Sequence, residues 1–471
     1  MQMRVAIRDI SLFERPVQFV RPFRFGVVRV DSAPQAFVRV ELEIEGGRIA
    51  TGASAEMMMP KWFDKRPDRT PAHTIDDLRR SLAIARDLYL SDTGFDTTFG
   101  FHAARITSQV RACAGEDIPP LAACFGPAEI DKAILDALLR GLGLDAFKGL
   151  AANVAGIDNR LTPDLADSVI TQFLAATAPK PRIAIRHTVG LDDALEGPDG
   201  LVAVIRGEAL RYLKLKLGGD PDADIARLEQ IATAIGEAAN SGASTDGVSL
   251  DANEQYADLA ALSTLLDCLD SDSALAPIAT RLIYIEQPMP RDTTLTCTLG
   301  SSARYAMIID EADGSYDAFQ AAKDLGYRGV SSKACKGLYK SILNAARAAA
   351  WSSNNQLFFV TAEDLTCQAG LGVQQDLALG ALIGVSHAER NGHHYVDGFG
   401  AAPIAEQERF LAAHPDLYVR TPDGIRLATA DGSLAISSLI TPGFASGVHP
   451  DWSVLQPLQS TTRKIPQEQF S

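Results

Sequence analysis

The chain has 471 residues, room for roughly three domains of ordinary size, or for two if one is a large α/β barrel. Apolar residues make up 46% and charged residues 22%, a globular composition that excludes disordered, fibrous and collagen-like chains. Against 44 Lys and Arg stand 59 Asp and Glu, a formal net charge of −15 with no basic run, so neither nucleic acid nor an anionic membrane is an expected partner.

The N-terminal MQMRVAIRDISLFERP is broken by charges every few residues, and no secretory signal is expected from it. Residues 1–60 then read as β structure, with alternation from Met3 to Phe13, from Phe37 to Glu45 and around Ile49, and Glu45-Gly46-Gly47 as a turn. Between these strands Arg21-Pro-Phe-Arg-Phe-Gly26 reads as an aromatic and basic loop. Glu56-Met-Met-Met-Pro-Lys-Trp-Phe63 suits neither a strand nor a helix face, and is either a hydrophobic plug between domains or a lid over a pocket. Residues 75–180 are mostly helical, with apolar positions at i, i+3 and i+4 through Leu78, Leu82 and Leu88 and again from Ile134 to Leu142.

From about residue 182 the pattern changes. Seven short apolar strands alternate with helical stretches: 183–190, 212–217, 247–252, 282–286, 306–310, 329–333 and 357–361. That is the signature of a parallel α/β architecture, either a (β/α) barrel or a doubly wound sheet. The first strand is followed by Thr188-Val-Gly-Leu-Asp192 and no glycine fingerprint, which favours the barrel. No stretch approaches the ~18 uncharged apolar residues of a membrane span. The six cysteines form no CxxC pair and read as reduced thiols of a cytoplasmic protein.

Barrel enzymes carry their chemistry at the C-terminal ends of the strands. The second strand reads Leu213-Lys214-Leu215-Lys216-Leu217, and period-two alternation turns both lysines inward, roughly 7 Å apart. The third, fourth and fifth strands end at Asp251, Glu286 and Asp310, each one βα unit after the last. Three acids at equivalent positions converge and repel, and a hard divalent cation, magnesium or manganese rather than zinc, relieves the repulsion. Glu311 is the alternative third ligand. The sixth strand ends at Lys333, nearly opposite Lys216 in an eight-stranded ring, with Lys336 as a second lysine beyond it.

The ordered set Lys214-x-Lys216, Asp251-x-Asn253, Glu286-Gln287-Pro288, Asp310-Glu311 and Lys333 resembles the enolase superfamily, and within it the muconate-lactonizing-enzyme subgroup, over residues 1–65 and 182–370. The resemblance implies a modified TIM barrel with an N-terminal α+β capping domain. It divides the chain into a cap with helical extension (1–180), a catalytic barrel (181–400) and a C-terminal segment (401–471) completing one or the other. It implies Asp251, Glu286 and Asp310 as magnesium ligands, Lys216 and Lys333 as the acid/base pair, and Lys214 as a cation orienting the substrate carboxylate. The loops at 21–28, with Arg24, and 52–63 take the specificity positions. Neighbouring cations and partial burial are expected to lower the lysine pKa values towards neutrality.

The resemblance is incomplete at strands seven and eight. Thr361-Ala-Glu363-Asp364 matches strand seven approximately, with Glu363 as a candidate to orient substrate. Asn391-Gly-His-His-Tyr-Val-Asp397-Gly stands where a DxD is familiar, with Asp397, His393 and His394 as candidate substrate contacts. His387-Ala-Glu389 reads as half of a zinc-deaminase signature without its PCxxC. The function implied is magnesium-dependent removal of a proton α to a carboxylate through an enediolate, as a racemase, epimerase or cycloisomerase. The alternatives are a lyase of the same superfamily (a dehydratase or an ammonia-lyase-like enzyme) and a non-catalytic metal-binding barrel. The expected partner is a small-molecule carboxylate, and the expected assembly a homo-oligomer.

Overall fold

The computed structural model describes residues 2–25, 28–91, 93–363, 365, 367–396 and 398–459, apart from the side chains of Phe25 and His393. An antiparallel sheet opens the chain: β1 (Val5–Phe25), β2 (Val28–Ile44) and β3 (Arg48–Met57). Of the segment expected as a loop at 21–26, the described residues 21–25 are instead the end of β1, with Phe23 opposite Val30 and Arg24 opposite Arg29. Its alternation of aromatic and charged residues suits a pleated ribbon, and this outweighs Pro22.

The helix Phe125–Leu142 packs across this sheet and is buried from Phe125 to Leu139. It approaches β3 so closely that a Cβ at Gly52 would lie 2.2 Å from Ala133 O and Ala137 N, which only glycine tolerates. Helices Pro71–Leu90 and Thr98–Ala114 complete the cap, each started by a threonine whose hydroxyl accepts from a first-turn amide.

Eight parallel strands follow: β4 (Arg182–Val189), β5 (Tyr212–Lys216), β6 (Gly247–Asp251), β7 (Leu282–Glu286), β8 (Met307–Ile309), β9 (Gly329–Ser332), β10 (Phe359–Ala362) and β11 (His387–Glu389). They pair in sequence order and β11 closes on β4, so the sheet is a barrel and not a doubly wound layer. The outward leucines of β5, with Leu250, Ile285 and Ile309, join the surrounding helices in one apolar cluster. The eighth strand was not visible as a strand in the sequence. It is three residues long with a polar residue at each end, so no apolar run announces it.

The segment beyond residue 400 touches both layers. Residues 433–435 pair antiparallel with β4, and Gln456–Pro457 pair with β1. None of the six cysteines is in a disulfide. Among the described residues no helix is long and apolar enough to cross a membrane.

Candidate active site

Strand register builds the site. Lys216 lies beside Asp251, and Asp251 beside Glu286, in adjacent strands, while Asp310 follows the last residue of β8. All four reach the same end of the barrel because parallel strands in near-level register finish together. The turns after these strands are strained: Asn253, Glu254 and Gln287 all take positive φ, a conformation costly for non-glycine residues and concentrated at functional sites. Gln287 stabilises its turn and the next one. Its side-chain nitrogen donates to Met289 O and Thr294 Oγ1, and its oxygen accepts from the amides of Asp310 and Ala312.

Lys214 points inward and is 1% exposed. Its ammonium lies 2.7 Å from Glu286, 2.8 Å from Glu363, and 3.0 Å from both Asp251 and Glu389. Burial opposes its charge, but the four carboxylates outweigh burial and raise its pKa well above the ordinary lysine value. Lys216 donates to Asp251 Oδ2 at 2.5 Å and to Asn253 Oδ1 at 2.8 Å. Across the barrel Lys333 donates to Asp310 Oδ2 at 2.8 Å. Burial again opposes that charge, and Asp310 and Glu286 again outweigh it. The pKa of Lys333 is therefore raised, against the expected lowering, because its nearest neighbours are anions. Lys336 is not solvated; it is 2% exposed and binds the other side of Asp310 at 3.2 Å, with Ser331 Oγ at 2.9 Å.

The acids respond accordingly. Burial, Asp251 and Glu363 push Glu286 well above the usual carboxylate range, and neither of its oxygens accepts a hydrogen bond. Burial acts the same way on Asp310 and Asp251, but the adjacent lysines hold both below it. Glu311 accepts from Lys65 at 2.8 Å and Asn253 Nδ2 at 3.2 Å, and Asp310 but not Glu311 borders the cavity.

Two buried groups were missed by the sequence reading. Glu389, at the end of β11, accepts from Thr188 and Asn391 and borders the same cavity as the lysines. Its signal was present as a strand-terminal acid, hidden by the shortness of the strand. Arg186, inward on β4, pairs closely with Glu363 and donates to His387 Nδ1 at 2.6 Å. Burial and Arg186 push His387 down to about 3, so its ring is neutral and accepts. Glu363 is thereby enclosed, with Arg186 and Tyr284 on one oxygen and Lys214 on the other. Arg24, expected at a specificity position, does not border the cavity; it is largely exposed and paired with Asp192, while its neighbour Phe23 does border it. The ring of His394 packs on His187 at 4.4 Å. Asp397 and the His393 side chain lie outside the described residues.

The enclosed space is about 20 Å³, room for about one water. Lys214, Lys216, Asp251, Asp310, Lys333 and Glu389 form its floor; Phe23, Met59, Trp62 and Leu365 form its roof. In the 56–63 segment, Met57, Met58, Met59, Trp62 and Phe63 all belong to one apolar core, and Met59 and Trp62 also border the cavity.

An all-oxygen set of Asp251, Glu286 and Asp310 fits a hard divalent cation in kind, and the two undonated oxygens of Glu286 suit one. In their present rotamers the flanking acids turn to lysines, and among the described residues no three His, Cys, Asp or Glu side chains form a ready cage.

No protein-family model matches the chain, and no curated protein does. Solved structures share its fold. An enolase from Bradyrhizobium, complexed with magnesium and mandelic acid, superposes with a TM-score of 0.59 at 16% identity over 95% of this chain and 96% of that one. A 2-chloromuconate cycloisomerase from Rhodococcus opacus 1CP gives 0.58 at 16% over 95% and 97%. A dipeptide epimerase from Enterococcus faecalis V583, complexed with magnesium and L-Leu-L-Tyr, gives 0.56 at 16% over 93% and 99%. The capped barrel is the enolase-superfamily fold, and at these identities the likeness is one of fold.

Proposed function

We propose that this protein is a magnesium-dependent enzyme that removes a proton α to a carboxylate, acting as a racemase, epimerase or cycloisomerase. The observation that carries the reading is the pair Lys216 and Lys333. They border one small cavity from β5 and from the end of β9, four strands apart in a ring of eight. The ligands named in solved structures of the same fold, mandelic acid and a dipeptide, are small carboxylic acids and agree with it.

Asp251, Glu286 and Asp310 would hold the cation, which would supply positive charge to the substrate carboxylate, and acids so engaged would be less available to the lysines. The lysines do the proton chemistry. Asp251 and Asn253 aim the Lys216 amine, and Asp310 aims that of Lys333, so each approaches one face of a carbon held between them. An amine that has lost its proton takes the α-proton on one face, and the ammonium opposite returns one to the other face, inverting the centre. With one lysine as base and the other as a stationary cation, the same floor serves a cycloisomerase. The roof excludes water from the carbanionic carbon.

The test is solvent exchange in D2O with magnesium and a panel of carboxylic acids, read by mass spectrometry. Deuterium at the α-carbon is expected, with exchange in Lys216→Ala and in Lys333→Ala reduced by about 10²–10⁴-fold. Unchanged exchange in both variants would sink the assignment, and net loss of water or ammonia would move the protein to the lyases.

A further inference from the structure

The floor and roof of the site differ in chemistry. Every charged or amide group bordering the cavity among the described residues belongs to a barrel strand or its end, and each is tied to another protein group. The roof offers none: Phe23, Met59, Trp62 and Leu365 are all apolar faces, each no more than 8% exposed.

Trp62 is the centre of this roof. Its ring lies over the Lys333 ammonium, 4.8 Å from ring centroid to Nζ, a cation–π distance. Its backbone is clamped to the barrel, because Arg291 donates to the carbonyls of Trp62 and Phe63. Lys65, three residues on, bridges Glu254 and Glu311, each at 2.8 Å. On the other side Phe23 is fixed by an edge contact with Tyr395, centroids 4.9 Å apart. The apolar wall is thus anchored at several points and is part of the site's construction.

We infer that the substrate is a carboxylic acid whose α-carbon carries an apolar alkyl or aryl group, and that Trp62 is the residue that selects it. This rests on the proposed function, since it takes the carboxylate to lie on the floor. With that end fixed on the acids and lysines, the substituent projects into the roof. A polyhydroxylated chain there loses water at every hydroxyl and meets at most the single indole N–H of Trp62 among the four roof side chains, whereas a methyl or phenyl group loses nothing. The present 20 Å³ is too small for the substituent, so it enters by displacing roof side chains. Met59, unbranched with three rotatable bonds, is the most readily moved. A polyhydroxy acid is the substrate such a roof rejects.

The experiment uses the full chain with magnesium and two probes: 2-phenylpropionate and gluconate. Exchange of the α-proton in D2O is followed by NMR, and binding is measured separately by equilibrium dialysis. Both are expected to favour 2-phenylpropionate by about tenfold or more. Trp62→Ala should raise its KM and remove most of that preference, Trp62→Phe should restore it, and Met59→Gln should move it towards gluconate. Should Trp62→Ala fail to fold, the Met59→Gln shift is the deciding reading. Exchange or binding that favours gluconate, or that is equal for both, overturns the apolar selection and leaves the proton chemistry standing. No exchange with any probe, but binding of 2-phenylpropionate weakened in Trp62→Ala, supports the roof and overturns the reaction. Neither exchange nor binding overturns both.

Discussion

Lys214 touches four buried carboxylates within 3.0 Å, which makes it a structural cation before any substrate arrives. Removing one partner of a buried ion pair leaves the other uncompensated, and here four acids lose their shared partner. Lys214→Met is expected to lower unfolding stability by about 3–5 kcal/mol in urea titrations, and magnesium is expected to raise the melting temperature more in the variant than in the parent. Equal magnesium shifts in the two proteins would count against the acids being a cation site. The position of Lys214 was legible in the sequence, because alternation in Leu-Lys-Leu-Lys-Leu turns both lysines inward, and so were the strand-end acids Asp251, Glu286 and Asp310. What the pattern could not convey was how many acids Lys214 faces. Two of them, Glu363 and Glu389, come from β10 and β11, where the apolar runs are short and strand ends are hard to fix. Arg186 was hidden for a related reason: inside an apolar strand a single arginine reads as a surface residue until the barrel closes around it.

At the scale of elements, the segment from Met57 to Arg66 shows how a stretch with neither helical nor strand periodicity becomes ordered. Its regular structure ends at β3, and its fixed points are side-chain contacts to the barrel: Lys65 to Glu254 and Glu311, and Arg291 to the backbone at Trp62 and Phe63. Such contacts join positions some 190–250 residues apart, so no local pattern in the sequence could reveal them. The sequence left plug and lid as alternatives; Met57, Met58, Met59, Trp62 and Phe63 all pack in the apolar core, and Met59 and Trp62 in addition border the site. Lys65→Met leaves Glu311 with Asn253 as its remaining partner and loosens the clamp. The expected result is a stability loss of about 1–3 kcal/mol and greater acrylamide quenching of tryptophan fluorescence, because Trp62 is only 4% exposed in the parent. Trp351 and Trp452 supply a background far from the clamp in sequence. A quenching constant unchanged from the parent would show that Arg291 and the apolar roof hold Trp62 without Lys65.

At the scale of the whole molecule, cap and barrel meet through buried charge as well as apolar area. Lys132, on the helix Phe125–Leu142, lies 2.9 Å from Glu129 and 3.4 Å from Glu56 of β3, so one ammonium serves two carboxylates. The barrel side supplies the Cys367 thiol, which donates to Glu56, together with Asp376 and its close partner Arg390. Burial is the largest influence on Glu129 and, with Glu56 beside it, pushes the carboxyl up from 4.5 to about 7 despite Lys132. A carboxyl whose folded pKa is raised binds its proton more tightly when folded. Stability from this group is therefore fully present below pH 4.5 and declines as the pH rises to about 7, where the folded protein releases the proton as well. Lys132 acts in the opposite range: its raised pKa contributes stability throughout that window and loses it only in strong alkali. Glu129→Gln replaces the titrating group by a neutral one of the same shape and leaves the Lys132–Glu56 pair intact. Urea midpoints measured at intervals from pH 5 to pH 8 should fall with pH in the parent, by up to about 3 kcal/mol, and should fall less steeply in the variant. At pH 8 the variant should be at least as stable as the parent, because the parent then buries two anions against a single cation. If the two proteins show the same slope, Glu129 is ionised throughout, and the seam between cap and barrel is held by a triad that does not respond to pH.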